Sequence, residues 1–182
     1  MPPSAAPSLD AAEWELLAGL RRGEEPAFEG LYREHRGRLY GLAYRLSGRQ
    51  AEAEEITQDV FLKVWEHRAG FESPDHLRRW LRRVAVNLWI NRVRRHRPAE
   101  LDSEAALASL PAAGSPQGDA AAARLDVERA LAALPARQRA VVVLFDIYGL
   151  RHEEIAESLG MSGGASKVTL HHARRRLKEI LR

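Results

Sequence analysis

The sequence predicts an all-α protein made of two small helical domains joined by a flexible linker. Apolar residues recur at three- and four-residue steps along most of the chain, as they do on one face of an amphipathic helix. No stretch shows the sustained alternation of apolar and polar residues that is typical of β-strands. Residues 98–120 are rich in Ala, Pro, Gly and Ser, acidic, and free of Lys and Arg, which indicates a linker.

Composition narrows the class of protein. The 182 residues include no cysteine, which excludes disulfides, thiolate zinc sites and cysteine nucleophiles, and which favours a cytoplasmic location. Residues 1–12 have no Lys or Arg and no apolar run, so we predict a disordered lead-in rather than a signal peptide. Charges interrupt every apolar stretch before it reaches the ~18 residues of a membrane-spanning helix, so no membrane insertion is expected.

Residues 13–97 form the first predicted domain, a bundle of three helices. The first helix begins at Phe28 and ends at Ser47 and Gly48. The second begins near Arg49 and has an acidic outer surface that includes Glu54, Glu55 and Asp59. The third is capped by Asp75 in this prediction, and its buried face consists of Leu77, Leu81, Val84, Ala85 and Leu88.

Residues 121–182 form the second predicted domain. A helix near 125–134 ends before Pro135, and an apolar helix that holds 141–147 is closed by Tyr148 and Gly149. A short helix, a turn at 160–162 and a basic helix to the C-terminus then follow with the spacing of a helix-turn-helix.

The third helix combines residue types that suit unpaired DNA. At steps of three and four residues it presents one stripe, which consists of Trp80, Arg83, Asn87, Asn91 and Arg94. Trp stacks on an exposed base, Asn reads base edges, and Arg binds phosphate or guanine. Residues 78–97 include eight arginines and no Asp or Glu, so this face should attract a polyanion. The alternative is an ordinary solvated helix surface.

The last helix has the pattern of a recognition helix. Ser162 can cap it, and its first half would then point Lys167, Val168, His171 and His172 toward a major groove. Arg174 continues the basic stripe, and Arg175 could bind flanking phosphate. The alternative is a two-helix corner that binds nothing.

Catalytic interpretations find little support in the residues. His152 to Ala156 lacks the second histidine of a zinc-protease helix, and the chain has neither a phosphate-binding Gly loop nor a Ser-His-Asp signature. His171 and His172 are adjacent, so they should point to different faces rather than to one metal. We therefore predict no enzyme activity, no catalytic residues, no cofactor and no metal.

Three segments resemble conserved regions of extracytoplasmic-function sigma factors of bacterial RNA polymerase. Residues 51–66 (AEAEEITQDVFLKVWE) and 71–97 (FESPDHLRRWLRRVAVNLWINRVRRHR) resemble the second region of that family. Residues 131–161 (LAALPARQRAVVVLFDIYGLRHEEIAESLGM) resemble the fourth region. The likeness extends over nearly all of residues 28–182, including the order of the domains and the variable linker between them.

The resemblance implies partners for both domains. The acidic helix would bind the clamp helices of the largest subunit of core RNA polymerase through Glu54, Glu55, Gln58 and Asp59. A loop over residues 71–76 would pocket a flipped base of the minus-ten element. The implied minus-ten contacts are Phe71, Ser73, His76, Trp80, Arg83, Asn87, Asn91 and Arg94.

The same resemblance places the second domain on the flap of the second-largest subunit, where it would read the minus-thirty-five duplex. The implied contacts are Lys167, Val168, His171, His172, Arg174 and Arg175. The acidic linker would run toward the RNA exit path, and family members are often held by an anti-sigma protein. The chain departs from the family at Ser166, where Val is usual, and at Thr169, where Arg is usual. Arg151 replaces a capping Ser, a loss that typically costs ~1 kcal/mol.

The predicted function is that of a sigma factor, which binds core RNA polymerase, directs initiation to specific promoters and helps to melt promoter DNA. One alternative is a stand-alone helix-turn-helix regulator, which would bind operator duplex without polymerase. A second is a helical interaction protein whose basic faces bind acidic proteins. A third, an RNA-processing enzyme, lacks paired carboxylates or a metal cluster to support it.

Overall fold

The computed structural model describes residues 9–96 and 119–181, and within these ranges every regular element is a helix, as predicted. The helices of the first bundle are α1 (Leu9–Arg22), α2 (Glu25–Ser47), α3 (Gln50–Glu66) and α4 (Pro74–His96), with a 3₁₀ turn at Arg68–Gly70. Those of the second are α5 (Asp119–Ala132), α6 (Ala136–Val142), α7 (His152–Leu159) and α8 (Gly163–Ile180), and a π-helical turn at Val143–Ile147 continues α6.

The predicted lead-in and linker fall largely on residues that lie outside the described ranges, namely 1–8 and 97–118. Helix α1 already takes in residues 9–12, and α5 takes in residues 119 and 120. The boundaries at 13, 97 and 121 therefore stay predictions. None of the helices in the described part of the chain has the length and apolar character needed to span a bilayer.

Helix α2 is the centre of the first bundle and packs against α1, α3 and α4. It ends where predicted, because Gly48 adopts a left-handed φ of 67° and donates its N–H to the carbonyl of Tyr44 at 2.7 Å. The buried face of α4 differs from the prediction. Val84 and Leu88, which were predicted to be buried, are only partly buried. The residues that α4 buries beyond those predicted are Pro74, Val86, Trp89, Ile90 and Val93.

The N-terminus of α4 is capped by a different residue from the one predicted. Ser73 Oγ accepts a hydrogen bond from the backbone N–H of His76 at 3.1 Å, which is the geometry of an N-cap. Asp75 lies inside the first turn and instead accepts from Arg78 at 2.7 Å. The cap prediction for Asp75 was therefore wrong by two residues, although the helix start was nearly right.

Helix α1 was not predicted as a helix. Its buried residues Leu17 and Leu20 lie three positions apart, which is the helical signal that the sequence offered. Through Glu13, α1 joins a buried ionic cluster with His35 of α2 and Arg78 of α4. Glu13 Oε1 lies 3.1 Å from His35 Nε2, and Arg78 Nη1 bonds the other carboxylate oxygen. The cluster therefore ties three helices of the bundle together.

Burial lowers the pKa of His35 below its usual value of 6.5, and the nearby Glu13 carboxylate opposes that shift only in part. As the pH falls below about 6.5, the unfolded chain takes up this proton before the folded chain does. The contribution of neutral His35 to the free energy of unfolding is thus fully present above about pH 6.5 and is lost as the pH falls below it. We expect the free energy of unfolding to fall between pH 7.5 and pH 5.5, and to fall less in a His35→Gln variant, as measured by urea titrations. Parallel pH curves for the two proteins would contradict this assignment.

In the second bundle, α8 packs on α6 and α7. Ser162 caps α8 as predicted, because its Oγ accepts from the backbone N–H of Ala165 at 3.1 Å. Arg151, at the N-cap of α7, has no side-chain acceptor. Its backbone N–H instead donates to the Glu154 carboxylate at 2.9 Å, which supplies half of a capping box and offsets part of the missing serine.

The two bundles pack against each other, and their buried residues form one continuous apolar core. Helix α7 contacts α4, and α5 and α6 contact α2. Arg139, which is only 7% exposed, donates Nη1 to the carbonyl of Leu46 at 2.9 Å across this contact. Its Nη2 donates to the carbonyls of Ala132 and Leu134 at 3.0 and 3.1 Å. One arginine therefore closes the C-terminal ends of α2 and α5 together.

Candidate nucleic-acid interface

The stripe predicted on α4 lies on one accessible side of that helix. Arg83, Asn91 and Arg94 are exposed, and Trp80 and Asn87 are partly buried. Two of its arginines face the second bundle: Arg83 pairs with Glu157 of α7 at 2.8 Å, and Arg94 lies beside the turn at Gly160. Along the helix the stripe can present a stacking ring, a cation, two amides and a second cation to a ligand.

The loop before α4 differs from the expectation at Phe71. This side chain is 2% exposed and belongs to the core, so its ring presents almost no surface outside the bundle. Its ring packs edge-on against Trp80 at 5.1 Å and against His76 at 6.1 Å. Its role as a DNA contact stays a prediction, and in the structure the buried Phe71 ring supports Trp80 and His76 by packing against both. Ser73 is occupied as the cap of α4.

The arginines of residues 78–97 are less available to a ligand than the composition of this segment predicts, because several are paired with carboxylates. Residues 78–97 contain no carboxylate, but other helices supply several. Arg78 bonds Glu13 of α1, and Arg83 pairs with Glu157 of α7. Arg92 pairs with two acids of α3 at 2.6 and 2.7 Å. Arg97 lies outside the described residues. Part of the positive charge of α4 is thus neutralised within the protein.

The predicted polymerase contacts share one surface of α3. Glu54, Glu55 and Gln58 are exposed, and Asp59 is partly buried. Glu54 accepts from Gln50 at 3.1 Å, whereas Glu55 and Asp59 are the two acids that pair with Arg92. Asp59 therefore has a structural partner in addition to its predicted role, and Glu54 and Gln58 are the cleaner probes of a partner surface.

An open groove of about 850 Å³ between α2 and α3 was not predicted. It borders the acidic surface at Glu54, and four-residue steps on α2 place Tyr32, Arg36 and Tyr40 along it. Arg36 lies over the Tyr32 ring at 5.8 Å. The signal in the sequence was this four-residue spacing of aromatic and basic side chains.

The helix-turn-helix consists of α7 and α8, joined by a turn in which Gly160 has a φ of 63°. All of the predicted recognition side chains on α8 are exposed, namely Lys167, Val168, His171, His172, Arg174 and Arg175. Arg174 nevertheless has a partner in its own domain, because its Nε donates to Asp146 Oδ2 at 3.1 Å and its guanidinium lies 5.5 Å from the centre of the Phe145 ring. Its contact with DNA would compete with this pair.

The described residues bring together one group that has the ligand types of a metal site. Glu34 approaches the buried pair Glu13 and His35, with ligand atoms within 4.8 Å of one another. Arg78 already bonds Glu13, and a guanidinium at this position opposes a bound cation. The group is accounted for as an ion-pair cluster between helices.

Comparison with known proteins identifies the family. The family model for Sigma-70 region 2 matches residues 31–99, and the model for Sigma-70, region 4 matches residues 124–177. The chain is 36% identical over 184 residues to the ECF RNA polymerase sigma factor SigE of Mycolicibacterium smegmatis, covering 86% of this chain and 62% of that relative. It is 30% identical to the ECF RNA polymerase sigma factor SigW of Bacillus subtilis, covering 90% of this chain and 93% of that one.

The chain belongs to the extracytoplasmic-function sigma factors. It is a sigma factor that directs promoter-specific transcription, and the stand-alone regulator is not favoured. A solved structure of the sigma factor RpoE in complex with the anti-sigma factor NepR, from Bartonella quintana, has the same fold. The two share 27% identity with a TM-score of 0.62, over 85% of this chain and 96% of that one.

One departure of this sigma factor from its family is explained by a contact within the second bundle. Ser166 is fully buried, where an apolar side chain is usual, and its Oγ lies 2.9 Å from His152 Nδ1. The His152 ring in turn stacks on Phe145 with 4.5 Å between ring centres. The hydroxyl therefore has a hydrogen-bond partner inside the domain, so its burial does not leave an unsatisfied polar group.

Proposed function

We propose that this sigma factor binds core RNA polymerase through the exposed acidic surface of α3 and reads the minus-ten element as single-stranded DNA with α4. The observation that carries the proposal is the α4 stripe, in which Trp80, two Asn and two Arg share one accessible side. Aromatic stacking, amide readout of base edges and cationic contacts are the combination that unpaired DNA requires. The exposed half of α8 would read the minus-thirty-five duplex in the major groove.

The protein makes no bond change itself in this proposal, because catalysis belongs to the polymerase. Its place of action is the cytoplasm, since the proposed partners are core polymerase and promoter DNA. An anti-sigma partner is also proposed. The support is the solved complex of RpoE with NepR, a relative with 27% identity and the same fold. Such a partner would be expected to protect the α4 and α8 surfaces from hydrogen exchange when it is bound.

The test is in-vitro transcription on genomic fragments, with core polymerase and with or without the protein. Discrete, protein-dependent start sites that share two upstream elements support the proposal. Asn87→Ala combined with Asn91→Ala should lower that transcription by about 100-fold, because each lost base contact is worth about 1–3 kcal/mol.

The matched control is His96→Ala, an exposed residue on the opposite side of α4, which should retain full transcription. Normal transcription with the double Asn variant would show that α4 does not read the minus-ten element. Operator binding by the purified protein, with no initiation on addition of polymerase, would instead favour a stand-alone regulator.

A further inference from the structure

We propose that α1 positions the minus-ten loop, here defined as residues 71–76, and thereby helps to set the base preference of the protein. Arg21 and Glu13 are the positioning residues. The inference rests on the proposed function, because that function places α4, into which the loop leads, against the minus-ten element. Helix α1 ends at Arg22, before the segment that matches Sigma-70 region 2 begins at residue 31.

Arg21 holds the first residue of the loop by its backbone. Its Nε donates to the carbonyl oxygen of Phe71 at 2.6 Å, and its Nη2 bonds the same oxygen. A hydrogen bond from a guanidinium is roughly twice as strong as one between neutral groups. Because the Phe71 side chain is itself buried, both the backbone and the ring of this residue are fixed in place.

Glu13 holds the other end of the loop. It bonds Arg78, the fifth residue of α4, and Arg78 in turn bonds Asp75 at 2.7 Å. Glu13 is 2% exposed, so removing its charge would leave Arg78 without its interhelical partner in a partly buried position. Helix α1 therefore contacts the first residue of the loop and a residue two positions beyond its end.

Between these two points, two hydrogen bonds to residues of the loop itself hold its backbone. Ser73 caps α4 through the N–H of His76, and the N–H of Glu72 lies 3.3 Å from His76 Nδ1. The ring of Phe71 lies under His76 and Trp80. A shift of the Phe71 carbonyl would thus move His76 and also Trp80, the aromatic side chain that the proposed function places against a base.

The test compares Arg21→Ala with Arg22→Ala in the full-length protein assembled with core polymerase. Arg22 is a matched control, because it is the next residue of the same helix, carries the same charge, and pairs with the nearby Glu24 at 2.6 Å. Binding is measured by fluorescence anisotropy on single-stranded oligonucleotides that carry each of the four bases at successive minus-ten positions. Binding to minus-thirty-five duplex and to core polymerase is measured in parallel, with the melting temperature.

We expect Arg21→Ala to lose about tenfold in preference for the favoured base, while the other two affinities change by less than about twofold. Arg21→Lys should recover part of the preference, because an ammonium can donate one of the two bonds. Glu13→Gln should shift the preference in the same direction by a smaller factor. Arg22→Ala should behave like the unmodified protein.

Unchanged base preference in Arg21→Ala would overturn the inference. An equal loss of all three affinities, together with a lower melting temperature, would also overturn it, because that result indicates a structural role alone. If Arg21→Ala does not fold, Arg21→Lys and Glu13→Gln decide by the same criteria. A different result is expected if the proposed function itself is wrong. In that case the double variant Asn87→Ala, Asn91→Ala also keeps the base preference. If the Asn variant loses the preference and the Arg21 variants keep it, only the role of α1 is wrong.

Discussion

Replacing Phe71 with alanine is expected to lower the free energy of unfolding by about 3–5 kcal/mol. The side chain is 2% exposed, and its removal leaves a cavity under Trp80, whose ring centre lies 5.1 Å away. Loss of the transferred apolar surface and of the ring contact both contribute. A loss of this size approaches the whole stability of a small domain, which is commonly about 5–15 kcal/mol. Urea titration followed by circular dichroism measures it.

Two variants make the Phe71 result interpretable. Phe71→Leu keeps much of the buried volume and should cost less than half as much. Leu62→Ala, on α3, removes a side chain that is 64% exposed and should change stability by no more than about 0.5 kcal/mol. A small effect of Phe71→Ala would mean that Trp80 collapses into the vacated space, and the support that we assign to Phe71 would then be incorrect.

Arg139→Ala is expected to lower the free energy of unfolding by about 3–5 kcal/mol. Its guanidinium donates to three backbone carbonyls, those of Leu46, Ala132 and Leu134. These carbonyls lie at the ends of α2 and α5, where no intrahelical N–H is available to them. The bonds to Leu46 and Leu134 are buried, so each of these two carbonyls carries a desolvation cost of about 1–3 kcal/mol once the arginine is gone, and the partly buried carbonyl of Ala132 carries less.

The same variant tests the contact between the two bundles. Because the bond to Leu46 crosses from one bundle to the other, Arg139→Ala should loosen them and increase the radius of gyration measured by small-angle X-ray scattering. Arg139→Lys keeps the charge but not the planar fork, and should be intermediate in both measurements. Arg151→Ala removes an arginine whose side chain is 81% exposed and serves as the control. Unchanged scattering would show that apolar contacts alone hold the bundles together.

Much of the fold could be predicted because an amphipathic helix has a periodic pattern of apolar residues in its own sequence. The three- and four-residue spacing of apolar residues located α2, α3, α4 and α8, and glycine marked the end of α2. Helix α1 was missed, although Leu17 and Leu20 lie on its buried side. The burial of Phe71 could not be predicted from spacing, because loop residues have no period and their burial depends on what packs over them.

The candidate site was predictable in its positions and less so in its partners. Exposure of the α8 side chains and of the α4 stripe follows from helical periodicity. Apart from Asp75, the carboxylates that pair with the arginines of α4 come from other helices, with Glu13 lying 65 residues before Arg78. The bonds of Ser166 to His152 and of Arg174 to Asp146 likewise join separate elements. Such pairs are set by packing, which a single sequence does not reveal.

The pairing of α4 arginines with carboxylates also affects how ionic strength should act on promoter binding. Each phosphate neutralised on a single strand releases roughly 0.7 of a condensed counterion, which is the source of salt-sensitive binding. An arginine that leaves Glu157 for a phosphate, as Arg83 would, exposes a carboxylate that gathers a cation in return. Net ion release is then smaller than the number of arginines suggests. This internal exchange of partners would make minus-ten recognition less dependent on the salt content of the cell.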